Sequence, residues 1–269
     1  MSTAPSIFDN RAVRHSRTRA VRTLPDHDFL INEVAERLLD RLDDITRVFP
    51  VALDMGCRTG TLARLLQARG GIETLVQTDP AAAMAAQAPG LRLVADEAFS
   101  PFADASFDAV LTNLALHRVN DLPGALIQAR RALKPDGVFL GSVFGGATLF
   151  ELRSALTDAE LEIEGGVSPR VAPFADVRDL GNLLVRAGLT LPVSDTDTIT
   201  VSYADPLRLM ADLRGMGENN VLSDRRKTFS RRATLTRALE IYRERFADDD
   251  GRVSATFEIV YLTAWAPAQ

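Results

Sequence analysis

The stretch Val51-Ala-Leu-Asp-Met-Gly-Cys-Arg-Thr-Gly60 decides the fold of this chain. It continues an apolar run that begins at Val48, and such short runs are typical of buried strands in parallel sheets. The run ends in a turn with two glycines, after which residues 61–66 begin a helical pattern. Glycine in such a turn lets a ligand approach the backbone, and the start of the following helix offers free N–H groups.

The same alternation of strand and helix continues along the chain. Further strands are predicted at 72–77, 91–95, 107–113 and 138–144, with helices at 81–88 and 122–133. Alternating strands and helices predict an α/β fold with a doubly wound sheet. We therefore predict a Rossmann-like sheet that carries helices on both faces.

Less regular regions flank this predicted sheet. An arginine-rich start and an amphipathic helix capped by Asp26 predict an N-terminal helical arm over residues 1–47. Residues 48–269 are predicted to form one ligand-binding domain, with a helical insertion at about 205–250 and a last strand at 256–265. Two independent domains are not expected.

The composition argues against several classes of protein. Of the 269 residues, 46% are hydrophobic and 25% are charged, as expected of one large globular domain. The net charge of −5 argues against general nucleic-acid binding, and every apolar run is too short for an integral membrane segment. One cysteine, Cys57, and three histidines argue against a disulfide framework and against cysteine- or histidine-rich metal sites.

Polar side chains follow four of the predicted strands. Ligands of open α/β sheets bind at the carboxyl ends of the strands, where the strand order reverses. Residues 54–60 form the first such end, and Asp79 lies about twenty residues beyond that turn, where an acid can bind ribose hydroxyls. Asp96 is placed to accept from an adenine amino group, and Asn113 ends the fourth strand. Together these ends predict a nucleoside site.

Two nucleoside ligands compete for this site, a nicotinamide dinucleotide and S-adenosylmethionine (SAM). The turn contains Gly56, Arg58 and Gly60 but lacks the Gly-x-Gly-x-x-Gly pattern that wraps a pyrophosphate. Asp54, two residues before the first glycine, favours a ligand that carries an ammonium group. We therefore favour SAM.

Residues 51–60 resemble the cofactor turn of class I SAM-dependent methyltransferases. The same resemblance extends over about residues 50–145 and includes Asp79, Asp96-Glu97, Pro101-Phe102, Phe107-Asp108 and Leu133-Lys-Pro-Asp-Gly137. It implies a seven-stranded sheet whose last strand is antiparallel. It also implies that the methionine portion is held by Asp54, Gly56, Cys57 and Gly60, the ribose by Asp79, the adenine by Asp96 and Glu97, and that Asn113 lines the site.

A narrower resemblance covers nearly the whole chain. It rests on Ile7-Phe-Asp9, 114–122, 144–146, 164–169, 179–181, 186–188, 195–197 and Gly215-Met-Gly-Glu-Asn219. These segments are similar to the mitochondrial complex I assembly factor family, which has a methyltransferase fold and is assigned arginine hydroxylation of a complex I subunit. The malonyl-carrier-protein methyltransferases are more distant relatives. The resemblance implies a protein substrate, such as a respiratory complex I subunit.

The position of the Phe-Asp motif bears on the predicted location of the protein. This motif begins at residue 7, so little of the chain precedes it. A full presequence does not fit there, and we therefore predict a bacterial, cytoplasmic protein.

Several further residues are candidates for contact with a substrate or for an effect on the cofactor. His117 follows the fourth strand and is the candidate general base, although a hydrogen-bonded structural histidine fits the same position. Asp195 and Asp197 alternate with threonine, so both can face a cationic substrate such as arginine. Arg58 stands where the superfamily usually has glycine, which puts the cofactor affinity in question.

Three functions follow from these observations. The first is a SAM-binding enzyme that modifies a protein side chain, by methyl transfer or by arginine hydroxylation. Methyl transfer needs little proton chemistry, whereas hydroxylation needs an oxidant, and the spacing of the histidines does not suggest an iron site. The second is a small-molecule or carrier-protein carboxyl methyltransferase. The third is a non-catalytic assembly chaperone with a vestigial nucleoside pocket.

Overall fold

Residues 6–268 are described by the computed structural model, and their centre is a sheet of seven strands. In chain order the strands are β1 (Val51–Met55), β2 (Thr74–Asp79), β3 (Leu91–Val94), β4 (Phe107–Asn113), β5 (Leu133–Phe144), β6 (Thr190–Tyr203) and β7 (Val253–Trp265). The helices are α1 (Asn10–Ala20), α2 (Phe29–Asp43), α3 (Thr61–Arg69), α4 (Ala82–Ala85), α5 (Leu122–Ala132), α6 (Phe150–Glu164), α7 (Val177–Arg186), α8 (Pro206–Gly215) and α9 (Arg232–Phe246).

The strand order in the sheet is β3-β2-β1-β4-β5-β7-β6. Strands β1 to β5 pair in parallel, whereas β7 is antiparallel to both β5 and β6. The order reverses between β1 and β4, where an open α/β sheet forms its ligand crevice. The predicted fold class, a class I methyltransferase sheet with an antiparallel last strand, is confirmed.

The central strands are buried from both sides because helices cover both faces of the sheet. Phe139 and Leu140, neighbours on β5, are both fully buried and belong to two different hydrophobic clusters. The cluster around Leu140 includes side chains of α2, α6 and α9, and the cluster around Phe139 includes those of α5 and α7. Burial on both faces explains why β1, β4 and β5 read as continuous apolar runs.

Helix α6 is the main element that the sequence pattern did not predict. Its buried positions, Leu152, Ala155, Leu156 and Ala159, have the helical spacing of one apolar face. Its other face carries the half-exposed Phe150, Leu161 and Ile163, so the alternation of apolar and polar residues is blurred. The second difference is smaller: α2 begins at Phe29 with Asp28 at its N-cap, and Asp26 ends a short 3-10 turn instead.

The N-terminal arm packs against the carboxyl ends of the parallel strands. Asp9 caps α1 by accepting from the backbone N–H groups of Arg11 and Ala12, and also pairs with Arg225 at 3.0 Å. Phe8 is buried and forms a backbone bridge with Leu222, which follows α8. The arm and the segment after α8 therefore form one layer over the site. Within residues 6–268, no helix combines the length and apolar character that a bilayer crossing requires.

Candidate functional site

The turn between β1 and α3 has a backbone that depends on its two glycines. Gly56 and Gly60 have φ angles of 79° and 83°, and a Cβ on Gly56 would lie 2.2 Å from the Cβ of Ala115. The N–H groups of Gly56 and Cys57 both donate to the carbonyl of Thr78 at 2.8 Å, which ties the turn to β2. Between the glycines Arg58 has a φ of 52°, a left-handed conformation that long side chains rarely adopt.

Asp54, the fourth residue of β1, has an unusual environment. Its side chain is buried, and neither carboxyl oxygen has a hydrogen-bond partner among the described residues. Burial, together with the charge of Asp79, raises the pKa of Asp54 to about 8. A buried carboxyl without partners must either hold a proton or receive a cationic group. No side chain of residues 6–268 donates to Asp54, so at pH 7 this carboxyl is protonated unless a bound cation reaches it.

Asp79 and Glu97, two further acids of the predicted site, both form ion pairs with an arginine of the arm. Nη1 of Arg17, from α1, lies 3.0 Å from Oδ2 of Asp79 and 2.7 Å from Oε1 of Glu97. All three side chains are buried. Burial alone would lower the pKa of Arg17, but the charges of Asp79 and Glu97 outweigh this and raise it. The arm thus places a guanidinium where the sequence predicts the nucleoside.

A second buried cluster surrounds Glu218, in the loop after α8. Its carboxylate is contacted by three nitrogens: Nη2 of Arg58 at 2.5 Å, Nη2 of Arg118 at 2.6 Å and Nε2 of His117 at 3.2 Å. Burial alone would raise the pKa of Glu218, but Arg118, His117 and Arg58 hold it well below the ordinary value. Burial also lowers the pKa of His117 to about 4, so the ring is neutral at pH 7.

The buried charges of the two clusters balance one another. Three carboxylates face three guanidiniums, namely Asp79, Glu97 and Glu218 against Arg17, Arg58 and Arg118. With Asp54 protonated and His117 neutral at pH 7, the cluster has no net charge. Buried charges are tolerated only when they are paired in this way.

The polar groups fit a nucleoside that carries an amino-acid chain, but the space beside Asp54 is nearly filled. The free carboxyl of Asp54 suits an ammonium, and the acids at Asp79 and Glu97 suit ribose hydroxyls and an adenine amino group. The cavity beside Asp54 and Asn113 measures only about 10 Å³, whereas ligand sites usually measure about 300–1,000 Å³. Arg58 lines this small cavity and Arg17 pairs with Asp79 and Glu97, so both side chains must move before such a ligand uses all these groups.

The other predicted cofactor residues lie around the same crevice in different roles. Cys57 is buried, and burial raises the pKa of its thiol. Asn113 donates to the carbonyl of Ile31 at 3.0 Å and accepts from Ser142, which ties α2 to the sheet. Asp96 accepts from the N–H of Ala98, lies 3.8 Å from Arg14 of α1, and lines a cavity of about 170 Å³ together with its neighbour Glu97. Their roles toward a cofactor stay predictions.

Asp195 and Asp197 lie outside this crevice. Both side chains point to the same side of β6, as the alternation predicts, but they pair there with Arg41 and Arg37 of α2. The pairs are partly exposed on the outer side of the sheet edge. These acids thus join β6 to α2 through arginines of the chain itself, and their role toward a cationic substrate stays a prediction.

A larger cavity adjoins the Glu218 cluster. It measures about 320 Å³ and has largely apolar walls, among them Phe144, Leu152, Phe174 and Met210. Its polar lining residues include Arg118, Arg170, Arg214 and Glu218. Since Glu218 lies between this cavity and Arg58, the cavity and the cofactor turn meet at one carboxylate.

Comparison with known proteins identifies the family of this chain. A family model described as a methyltransferase domain matches residues 53–141. The mouse protein named arginine-hydroxylase NDUFAF5, mitochondrial, is 45% identical over 275 residues, which cover 98% of this chain and 79% of the mouse protein. The chain belongs to this arginine-hydroxylase family.

More distant relatives share the fold. A malonyl-[acyl-carrier protein] O-methyltransferase of Xylella fastidiosa is 33% identical over 97% of this chain and 89% of its own length. The crystal structure of the YcgJ protein of Bacillus subtilis superposes with a TM-score of 0.60 at 14% identity, over 86% of this chain and 98% of that one. This member of the arginine-hydroxylase family thus has the methyltransferase fold.

The predicted bacterial, cytoplasmic location is wrong. The mouse, zebrafish and human relatives, which are 42–45% identical to this chain, are all named as mitochondrial proteins. The prediction relied on the small number of residues ahead of the Phe-Asp motif. That number does not determine where a folded protein works.

Three residues of the site were not singled out from the sequence pattern as ligands. Arg17 was one of several arginines in the arm, Arg118 follows His117, and Glu218 belongs to a motif that carried only a family resemblance. The signal available for Glu218 is the motif Gly215-Met-Gly-Glu-Asn219, since Gly217, with a φ of 78°, permits the tight turn that precedes this carboxylate.

Proposed function

We propose that this member of the arginine-hydroxylase family binds SAM in the crevice between β1 and β4 and modifies an arginine of a partner protein. The observation that carries SAM binding is Asp54, because its buried carboxyl has no partner among residues 6–268 and suits the ammonium of the ligand. SAM itself supplies an electrophilic methyl group on a positively charged sulfur.

The residues of the chain have distinct tasks in this proposal. Asp54 binds the ammonium, Asp79 the ribose and Glu97 the adenine, once Arg17 has left the last two. The backbone of the 56–60 turn lets the ligand approach closely because its glycines carry no side chain. His117, with Nε2 donating to Glu218, leaves Nδ1 as a free proton acceptor for the substrate.

SAM binding is tested by replacing the ionisable carboxyl of Asp54 with an amide of nearly the same shape. We expect Asp54→Asn to weaken binding of S-adenosylhomocysteine about 10- to 100-fold, since a hydrogen bond to a charged group contributes about 1.5–3 kcal/mol. Isothermal titration calorimetry measures this change. Asp104→Asn is the matched control, because Asp104 is exposed and pairs only with Arg131. Equal affinity in all three proteins would contradict the proposed role of Asp54, and no binding by wild type would contradict SAM as ligand.

The substrate is the second part of the proposal. The names of the mammalian relatives support an arginine target, and the family resemblance supports a respiratory complex I subunit as its carrier. Peptide mass spectrometry of complex I from strains with and without the gene tests both. An arginine that lacks one oxygen in the deletion strain supports hydroxylation, for which a separate oxidant is required. An arginine that lacks one methylene supports methyl transfer, and unchanged peptides contradict a role on complex I.

A second candidate is methylation of a carrier-protein carboxylate. It is favoured by the arginines around the larger cavity, Arg118, Arg170 and Arg214, and by the 33% identity to a malonyl-carrier-protein methyltransferase. Incubation with malonyl-loaded carrier protein and labelled SAM tests this candidate. Transfer of label to the carrier supports it, and absence of label rejects it.

A further inference from the structure

Three acceptors surround the guanidinium of Arg58. Nη1 donates to the carbonyl of Met216 at 3.0 Å, and Nη2 donates to the carbonyl of Leu114 at 3.0 Å and to Oε1 of Glu218. The acceptors come from two segments, the end of β4 and residues 216–219, here called the 216–219 loop. A fork of acceptors around a planar group is the arrangement that recognises a guanidinium.

The 216–219 loop is suited to bind cations because of its position. It follows the C-terminus of α8, where backbone carbonyls lack helical partners and the helix dipole is negative. Its carbonyls at Gly217 and Asn219 also receive the guanidinium of Arg118, at 2.8 Å and 3.1 Å. The loop thus holds two arginine heads around one carboxylate.

Arg58 is held in this fork under unfavourable conditions. Its φ of 52° is a conformation that favours glycine, and its Nε is buried without a hydrogen-bond partner among the described residues. It also lines the small cavity beside Asp54, where the proposed ligand needs space. Arg58 is therefore an occupant that can be exchanged for a better one.

The larger cavity provides the entry for such an exchange. Glu218 lines it, and Phe144, Phe174 and Met210 supply apolar walls against which the methylenes of an arginine stem pack. If the guanidinium of a substrate arginine displaces that of Arg58, the balance of buried charges is unchanged. If a neutral or anionic substrate side chain displaced it, Glu218 would have one cationic partner fewer.

The geometry points to a specificity site: Glu218, with the carbonyls of Leu114 and Met216, is the receptor for the guanidinium of the substrate arginine, and Arg58 stands in for that substrate. This inference rests on the proposed arginine target and adds the residues that recognise it. Binding of the substrate arginine through the larger cavity then requires that Arg58 leaves the fork.

The test removes the Arg58 side chain from its three acceptors and measures whether a small guanidinium compound binds in its place. Arg58→Gly removes the side chain at a φ that glycine prefers. We expect methylguanidinium to bind Arg58→Gly at least about ten-fold more tightly than wild type, and to raise its Tm, whereas methylammonium does neither. The double variant Arg58→Gly/Glu218→Gln is expected to lose this binding. Arg64→Ala is the matched control, since Arg64 is an exposed arginine of the next helix that contacts only Thr59 and Thr61.

The outcomes separate this inference from the proposed function, because the measurement needs no SAM. If folded Arg58→Gly binds neither methylguanidinium nor Nα-acetyl-arginine amide, or binds the lysine analogue equally well, the receptor is wrong even where S-adenosylhomocysteine binds wild type. If methylguanidinium binds but S-adenosylhomocysteine does not, the inferred guanidinium receptor is supported and the proposed SAM binding is rejected. If Arg58→Gly does not fold alone, recovery of folding by methylguanidinium but not methylammonium supports the receptor, and recovery by neither overturns it.

Discussion

Asp54 is protonated in the folded chain at neutral pH because burial and the charge of Asp79 raise its pKa to about 8. The unfolded chain ionises this carboxyl near 3.8, so between the two values the native state holds one proton more. The free energy of unfolding therefore falls as the pH rises through this window, by at most about 1.4 kcal/mol per pH unit. We expect Asp54→Asn, which cannot titrate, to remove this decline.

The pH range of that measurement is set by His117. Its lowered pKa acts in the opposite direction, since the neutral native ring loses stability as the pH falls from 6.5 towards 4. Urea unfolding is therefore compared between pH 6.5 and about 8, where Asp54 titrates without this opposing effect. Parallel curves for wild type and Asp54→Asn would show that Asp54 is ionised in the native state.

At the scale of single elements, local pattern predicted the strands and their polar ends but not what occupies them. Strand β4 lies at the predicted residues, and Asp54 and Asp79 lie at strand ends as expected. Arg17 could not be assigned to Asp79, because the two are 62 positions apart and no periodicity relates them. Arg58 and Glu218 are 160 positions apart for the same reason. Contacts between distant segments depend on packing, which a local pattern does not contain.

Helix α1 contributes one side chain, Arg17, that pairs with the two acids of the crevice. Arg17→Met leaves Asp79 and Glu97 buried without their cation, and we expect it to lower the free energy of unfolding by about 3–5 kcal/mol. Arg19→Met on the exposed face of α1 is the control, with an expected change within about 0.5 kcal/mol. Urea unfolding measures both variants. If they prove equally stable, the guanidinium of Arg17 does not neutralise these acids in solution.

At the scale of the whole molecule, the buried charges join three separate parts of the chain. Arg17 belongs to the arm, Asp79 to the parallel sheet, and Glu218 to the loop after α8. Because each charge is stable only while its partner is in place, no part can unfold without leaving a charge unpaired in the interior. The arm and the sheet should therefore unfold together, although a helix of eleven residues in isolation is marginal in water.

The single tryptophan makes this cooperation measurable. Trp265 ends β7 and packs near Phe49, at a ring distance of 6.1 Å, so its fluorescence reports the sheet. We expect Arg17→Met to shift the urea midpoint of Trp265 fluorescence by the same amount as that of far-ultraviolet circular dichroism, since both follow one transition. The same comparison for Arg19→Met should show neither shift. If the circular dichroism of Arg17→Met acquired an early phase while the Trp265 midpoint stayed in place, the arm would unfold by itself and the buried charges would not couple it to the sheet.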